Sequence, residues 1–189
     1  MSCALTQGYT LGCRDGVGGI KEIRIASFNP TGSFATNGSG IVTAFTGYAS
    51  GTAGSNAFYR YELTKNTSML SEALTASLEN GTVFYDQQAT FVINKLQVQV
   101  RNQLMFMARS RVLAIITDYN GQNYLIGAEN GADISAATAD TGTAFGDRSG
   151  YSTTIQGLER FPMYAVTGSL LATLTASANM AAATSGGGI

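Results

Sequence analysis

Several groups of residues in this chain are of the types that chemistry uses, and each lacks a component. Asp118, Asn120 and Gly121 begin with the oxygen-bearing spacing of a calcium loop, and Glu129 stands twelfth from Asp118. Such a loop needs ligands throughout and helices on both sides, whereas the intervening residues read as strand. A turn whose aspartate bonds its own backbone explains the same residues. Gly16-Val17-Gly18-Gly19 lacks the Gly-Lys-Ser/Thr ending of a phosphate-binding loop and reads as a flexible arm. Lys95, Arg101, Arg109 and Arg111, with Phe106 nearby, supply the cations and the aromatic of a nucleic-acid patch. At helical spacing Lys95, Arg101 and Arg109 point in different directions, so salt bridges or solvated contacts account for them better.

Cys3 and Cys13 admit a disulfide, a two-ligand share of an intersubunit metal site, or ordinary thiols, of which the last is the simplest. Two cysteines without any histidine cannot complete a four-ligand zinc site within one chain. The absence of histidine also excludes Ser-His-Asp and Cys-His arrangements. Paired carboxylates of glycosidase type have nothing in their spacing to favour them. The expectation is therefore no catalytic residue, no metal, no cofactor and no small-molecule ligand.

The 189 residues fit one domain, long enough to bury a core without a staple. Charged residues make up 12% of the chain, against about 25% in average soluble proteins. Gly, Ala, Ser and Thr fill the gap, as on a surface largely covered by partners. The net charge of −1 offers no basic surplus for gripping phosphates. The first residues lack the charged and apolar regions of a signal peptide. The stretch near Leu170–Ala183 is too polar to span a bilayer. These features predict a cytoplasmic chain with no membrane partner.

The expected elements begin with a Gly-rich arm over residues 1–20 and a half-buried strand, Lys21–Phe28. A turn region, Asn29–Gly40, precedes a short strand, Ile41–Phe45, and a flexible stretch, Thr46–Asn56. Ala57–Leu63 alternates as a strand, with Phe58, Arg60 and Glu62 on one face and Tyr59, Tyr61 and Leu63 on the other. Ser68–Glu79 carries Leu70, Leu74 and Leu78 at helical spacing, yet Asn80-Gly81 before Thr82–Ile93 signals a hairpin, and two strands are the reading adopted. Asn94–Arg109 is the expected helix, capped by Asn94 and buried along Leu96, Val100, Leu104 and Met107. Arg111–Thr117 is a buried central strand, returned by Tyr124–Gly127. Ala132–Ala144 reads as a long loop with weak strand character. Tyr151–Gly157 and Met163–Leu171 complete the sheet, with Pro162 at a strand start. Residues 1–176 form the domain and 177–189 a flexible tail. The turns carry the residues singled out as structurally important: Asn120, Gly121, Gly127, Asn130, Gly131, Gly142, Gly146, Asp147 and Gly150.

Taken in order, these pieces form a series. The helix Lys95–Arg109 and the strand Arg111–Thr117 lead to Asp118-Tyr119-Asn120-Gly121, Tyr124-Leu125-Ile126-Gly127 and Glu129-Asn130-Gly131. Thr141-Gly142-Thr143, Gly146-Asp147-Arg148-Ser149-Gly150-Tyr151 and Gly157-Leu158-Glu159 follow. The series resembles tail-tube-type virion proteins of bacteriophages, in the versions of Bacteroidetes and marine phages. The opening Cys13-Arg14-Asp15-Gly16-Val17-Gly18-Gly19-Ile20-Lys21 is similar to the start of those proteins. The matches touch both ends and cover over half of the chain; each is short, and their order carries the specificity.

The resemblance implies a mainly β (α+β) fold, a β-sandwich or barrel with one flanking α-helix at about Lys95–Arg109 and long Gly/Ala/Thr-rich loops. It implies six copies in a ring, inner strands joined into a shared barrel, and rings stacked into a tube through which DNA passes. The implied partners are other copies of the chain, other virion proteins, and genomic DNA as transient cargo. The implied location is the virion tail, after assembly in the bacterial cytoplasm. No catalytic residue is implied. Regions 29–56 and 132–146 become candidates for loops that bridge subunits or rings. A head–tail connector, tail terminator or capsid decoration protein is the neighbouring alternative. A monomeric glycan-binding β-domain is disfavoured by the absence of tryptophan.

Overall fold

The computed structural model describes residues 8–10, 15–48 and 56–174. Cys3, Cys13 and the expected tail 177–189 lie outside the described residues, as does part of the Thr46–Asn56 stretch. The fold is mainly β. Its strands are β1 (Ile20–Ser27), β2 (Ser33–Thr36), β3 (Val42–Thr46), β4 (Tyr59–Glu62), β5 (Met69–Ser77) and β6 (Thr82–Asn94). After α1 (Val98–Met107) come β7 (Val112–Asp118), β8 (Asn123–Ile126), β9 (Asp133–Asp140), β10 (Gly150–Glu159), β11 (Tyr164–Ala165) and α2 (Gly168–Leu174).

Two antiparallel sheets, ordered β11-β8-β7-β1-β4 and β5-β6-β10-β9, face each other. The alternation of each strand decides what lies between them. Ile23 and Ile25 of β1, with Ala114 and Ile116 of β7, meet Ala89 and Phe91 of β6 and Ile155 of β10. Val100, Leu104 and Met107 of α1 join the same core. Full burial of such side chains is worth about 1.5–3 kcal/mol each.

The first sheet is buried on its other face too. Ala26, Leu113, Ile115 and Leu125 pack there beneath Val42 and Phe58, and α2 contributes Leu171 and Leu174. The β2–β3 hairpin adds Phe34 and Phe45, which with Tyr48, Phe58 and Tyr164 form a chain of tilted and edge-on ring contacts at 5.2–6.4 Å. Burial on both faces explains why β7 reads as a continuous apolar run, since six of its seven residues are buried.

Polar residues on this face pair with one another. Glu22 holds Arg24 at 2.7 Å and Arg60 at 2.5 Å, and Arg60 reaches Glu62 at 2.8 Å. Arg24 donates onward to Thr117 Oγ1, Thr117 donates to Asn123, and Asn123 donates to the carbonyl of Val166. One hydrogen-bonded line thus crosses the sheet. Burial works to raise the Glu22 pKa, but the two guanidiniums outweigh it and hold the carboxyl below its ordinary value.

Some expected elements differ. Ser33–Thr36, expected as turn, is a strand. The expected helix begins later: Asn94 still pairs with Gly150 at the end of β6, and Lys95 takes a φ of 71° that no helix continues. Gln97 is therefore the N-cap position, without a side-chain cap bond, and Leu96 lies before the helix rather than on its buried stripe. Met163–Leu171 is not one strand. A two-residue strand is followed by α2, whose Leu171 and Leu174 fall on one helical face, so two helices stand where one was expected. Ala132–Ala144, expected as a long loop, contains the eight-residue strand β9.

Candidate assembly surface

The turn residues singled out in the sequence are distributed around the sheets and shape them; Asn130 and Gly131 line one cleft together, beside Arg111 and Gln156. Asn120 and Gly121 form the β7–β8 turn. Asn120 clasps the N-terminal arm, accepting from Val17 N–H at 2.8 Å and donating to Val17 C=O at 2.7 Å. The Asp118 carboxylate accepts from the backbone N–H of Gln122 at 2.7 Å, as a turn-capping aspartate does. Gly127 and Gly131 bound the turn after β8. At Gly127, with φ at 75°, a Cβ would stand 2.6 Å from the backbone nitrogen of Ala132, so no larger residue fits. Asn130 bonds Glu159 and the carbonyl of Leu158, tying this turn to the end of β10. Burial raises the Glu159 pKa, against the backbone N–H groups of Asn130 and Glu129 that favour its charge.

Gly142, Gly146, Asp147 and Gly150 organise the β9–β10 loop. Asp147 accepts from the backbone N–H groups of Thr143 and Ala144 at 2.8 and 2.7 Å, and these bonds, Ala144's first, lower its pKa. The loop so fixed carries Phe145 fully exposed. At the opposite end of the same sheet the β5–β6 turn exposes Leu78, and Leu74 and Val83 beside it are also exposed.

Between these ends lies the feature that the turn residues frame. The inner residues of the β5-β6-β10-β9 sheet enter the core, and the alternate residues form its outer face. In β6 these are Phe84, the half-buried Asp86, Gln88 and Thr90, and the buried Val92, and in β10 they are Ser152, Thr154, Gln156 and Leu158. Met69, Ser71, Ala73 and Thr75 continue this face on β5, and Ala136, Thr138 and Asp140 on β9. The polar groups bond across and along the strands: Thr90 and Thr154 share a hydroxyl hydrogen bond of 3.0 Å, and Asp86 accepts from Gln88 of its own strand at 3.0 Å and from Gln156 of β10 at 2.9 Å.

No lysine or arginine occurs anywhere in the four strands; their charged residues are Glu72, Asp86, Asp133, Asp140 and Glu159. The strands themselves hold none of the cations. Arg24 and Arg60 are in the buried line of the first sheet, Lys95, Arg101 and Arg109 are around α1, and Arg111 lines a cleft together with Gln156 and Leu158 of the outer face. Arg148, in the β9–β10 loop, is 3.9 Å from Asp140.

Among the described residues no strand pairs with the outer edges of β5 and β9. β5 and β9 are exposed over most of their length and carry no lysine, arginine or proline. The sequence reading missed this face and these edges. The signal was present as alternating Asp, Gln and Thr in Thr82–Ile93 and as the missing cations.

A cleft of about 400 Å³ opens beside β5 between Gly19, Leu70, Glu72 and Tyr124. Glu72 there accepts from the backbone N–H of Met163 at 2.7 Å, a structural bond. Among the described residues no group of three His, Cys, Asp or Glu is placed to hold a metal ion, and no helix is long and apolar enough to cross a membrane. No protein-family model, no curated protein and no solved structure matches the chain.

Proposed function

We propose that this chain is a structural virion protein of tail-tube type that self-assembles into rings, which stack into a conduit for DNA. The outer face of the β5-β6-β10-β9 sheet lines the channel. The observation that carries this reading is the absence of lysine and arginine from these four strands, whose outer face combines hydroxyls, amides and the carboxylates of Asp86 and Asp140 with Met69, Phe84 and Leu158.

A conduit must not hold its cargo. Each lysine or arginine on a channel wall recurs once per subunit, and each phosphate it neutralises strengthens binding by counterion release. The hydroxyls, amides and carboxylates of this wall solvate the passing strand and repel its phosphates weakly, and its exposed Met69, Phe84 and Leu158 offer the phosphates no cation. The Gln88 and Gln156 amides satisfy the Asp86 carboxylate without recruiting a cation.

The ends of the sheet suit stacking. Phe145 at one end and Leu78 at the other place apolar groups where successive rings meet. The series of turns that resembles tail-tube proteins is consistent with the same reading. On this proposal the chain works without cofactor or catalytic group, and its location is the virion tail.

Negative-stain microscopy of the concentrated purified protein tests it. Rings or tubes with an open central channel are expected. A protein that stays monomeric at every concentration, with or without virion partners, contradicts it.

A further inference from the structure

Asparagine precedes glycine at Asn37, Asn80, Asn120 and Asn130. Such a pair carries its own reaction. The side-chain amide carbon stands near a backbone nitrogen whose residue has no Cβ to hinder approach or to restrict the turn. All of these asparagines are exposed, so exposure does not tell them apart. Their bonds do.

Asn120 is held on both groups. Its amide is clasped by the Val17 backbone at 2.8 and 2.7 Å and donates to Asp118 at 3.1 Å, and the Gly121 N–H is taken by the Asp118 carbonyl. Asn130 is held likewise. Its amide donates to the Leu158 carbonyl at 3.1 Å and to Glu159 at 3.3 Å, and the Gly131 N–H is taken by the Gly127 carbonyl. At Asn37 only the side chain is engaged, its oxygen accepting from the N–H groups of Ser39 and Ile41 at 3.0 Å each. Asn80 lacks both restraints. Only its backbone N–H bonds, to Ser77 Oγ at 3.4 Å, while its amide and the Gly81 N–H have no partner among the described residues. Gly81 sits at a φ of 62° with open space around it.

We propose that Asn80 is a self-modification site, converted to aspartate and isoaspartate in the folded protein ahead of the other three. Hydroxide takes the proton from the Gly81 N–H, and that nitrogen bonds to the Asn80 side-chain carbonyl carbon. The bond from this carbon to the amide nitrogen breaks, and ammonia leaves with a proton from water. Water then opens the cyclic imide at either carbonyl, giving aspartate or, with the backbone rerouted through the side chain, isoaspartate. Nothing is oxidised, and water is the only co-reactant. The same steps at Asn120 and Asn130 first require their bonds to open. Each bond is worth about 0.5–1.5 kcal/mol net, so two or more hold back conversion by at least about tenfold, the ratio set by about 1.4 kcal/mol.

The product adds a negative charge, or an extra backbone carbon, to the turn that closes the Ser77–Thr82 pair, two residues from the fully exposed Leu78. This apolar tip of the molecule thereby becomes charged with age. The inference stands without the ring-forming reading; on that reading, older subunits present a charged end to the next ring.

Site-resolved mass spectrometry of the full chain tests it, after incubation at mildly alkaline pH either folded or unfolded in urea. In urea the four sites are expected to convert at similar rates. In the folded chain Asn80 is expected to keep its rate, Asn37 to follow, and Asn120 and Asn130 to fall at least about tenfold behind. The Asn80→Gln variant is expected to lose the fast phase of ammonia release. Asn120 or Asn130 converting as fast as Asn80 in the folded chain would overturn the proposal. So would an Asn80 that reacts only in urea, or a fast phase that survives in Asn80→Gln.

Discussion

Gln156 on β10 donates a 2.9 Å hydrogen bond across the strand pair to Asp86 on β6, and Gln88 on the same face donates to the other oxygen of that carboxylate at 3.0 Å. A carboxylate on a sheet surface is usually answered by lysine or arginine. Here amides answer it, and the face keeps its negative character. Thr90 and Thr154, bonded to each other nearby, extend the same hydroxyl and amide surface.

Substituting one cation into that surface should convert a non-binding wall into a binding one. Thr154→Lys lies on the outer face, so its cost in stability should stay below about 1 kcal/mol. Assembled wild-type particles are expected to retain no DNA at physiological salt, and Thr154→Lys particles to retain it in a manner that weakens steeply as salt rises. Filter binding across a salt series checks this. Equal retention by both would remove DNA avoidance as the reason for the missing cations.

The buried line through Glu22 predicts a particular acid limb. The folded Glu22 carboxyl is held below its ordinary value of 4.5, so the folded state binds fewer protons there than the unfolded chain. Its contribution is complete above the unfolded pKa and is lost as pH falls through the lower folded value. Glu22→Gln leaves the Arg24 guanidinium buried without its carboxylate partner and should destabilise by about 3 kcal/mol at neutral pH. It should also flatten the stability profile below about pH 4.5. Urea melts at a series of pH values measure both, and an unchanged acid limb would show that other carboxylates carry it.

The turn glycines should separate sharply under alanine substitution. A Cβ at Gly127 meets the backbone of Ala132, and one at Gly150 meets the carbonyl oxygen of Ile93, so both should cost at least about 2 kcal/mol. A Cβ at Gly146 meets nothing within 4 Å, and Gly146→Ala should change stability by less than about 0.5 kcal/mol. Thermal melts of the three variants suffice, and a uniform effect would contradict the local geometry.

What the sequence made legible follows from how each element is buried. β7 is covered on both faces, so its apolar run has one reading. β5 was ambiguous because a spacing of four fits two periods: Leu70 and Leu74 share a helical face and also share one side of a strand. The Asn80-Gly81 turn decided the matter, and Gly81 has a φ of 62° there. The helix start was misplaced because Asn94 has a capping side chain but is held in the ladder by Gly150. β9 was hidden because most of an edge strand is exposed and shows no hydrophobic period. α2 was hidden because seven residues are too few to establish one. The candidate surface depends on residues as far apart as Thr90 and Thr154 facing the same way. That relation exists only once the pairing of β6 with β10 is known.

The most direct measurement is a cryo-electron microscopy reconstruction of the particles formed by the full chain. The expected map shows rings whose inner wall is the β5-β6-β10-β9 sheet, with Thr90, Thr154 and Gln156 facing an open channel. A chain that yields only monomers, or rings in which this face points outward or is covered by a neighbour, would contradict the account.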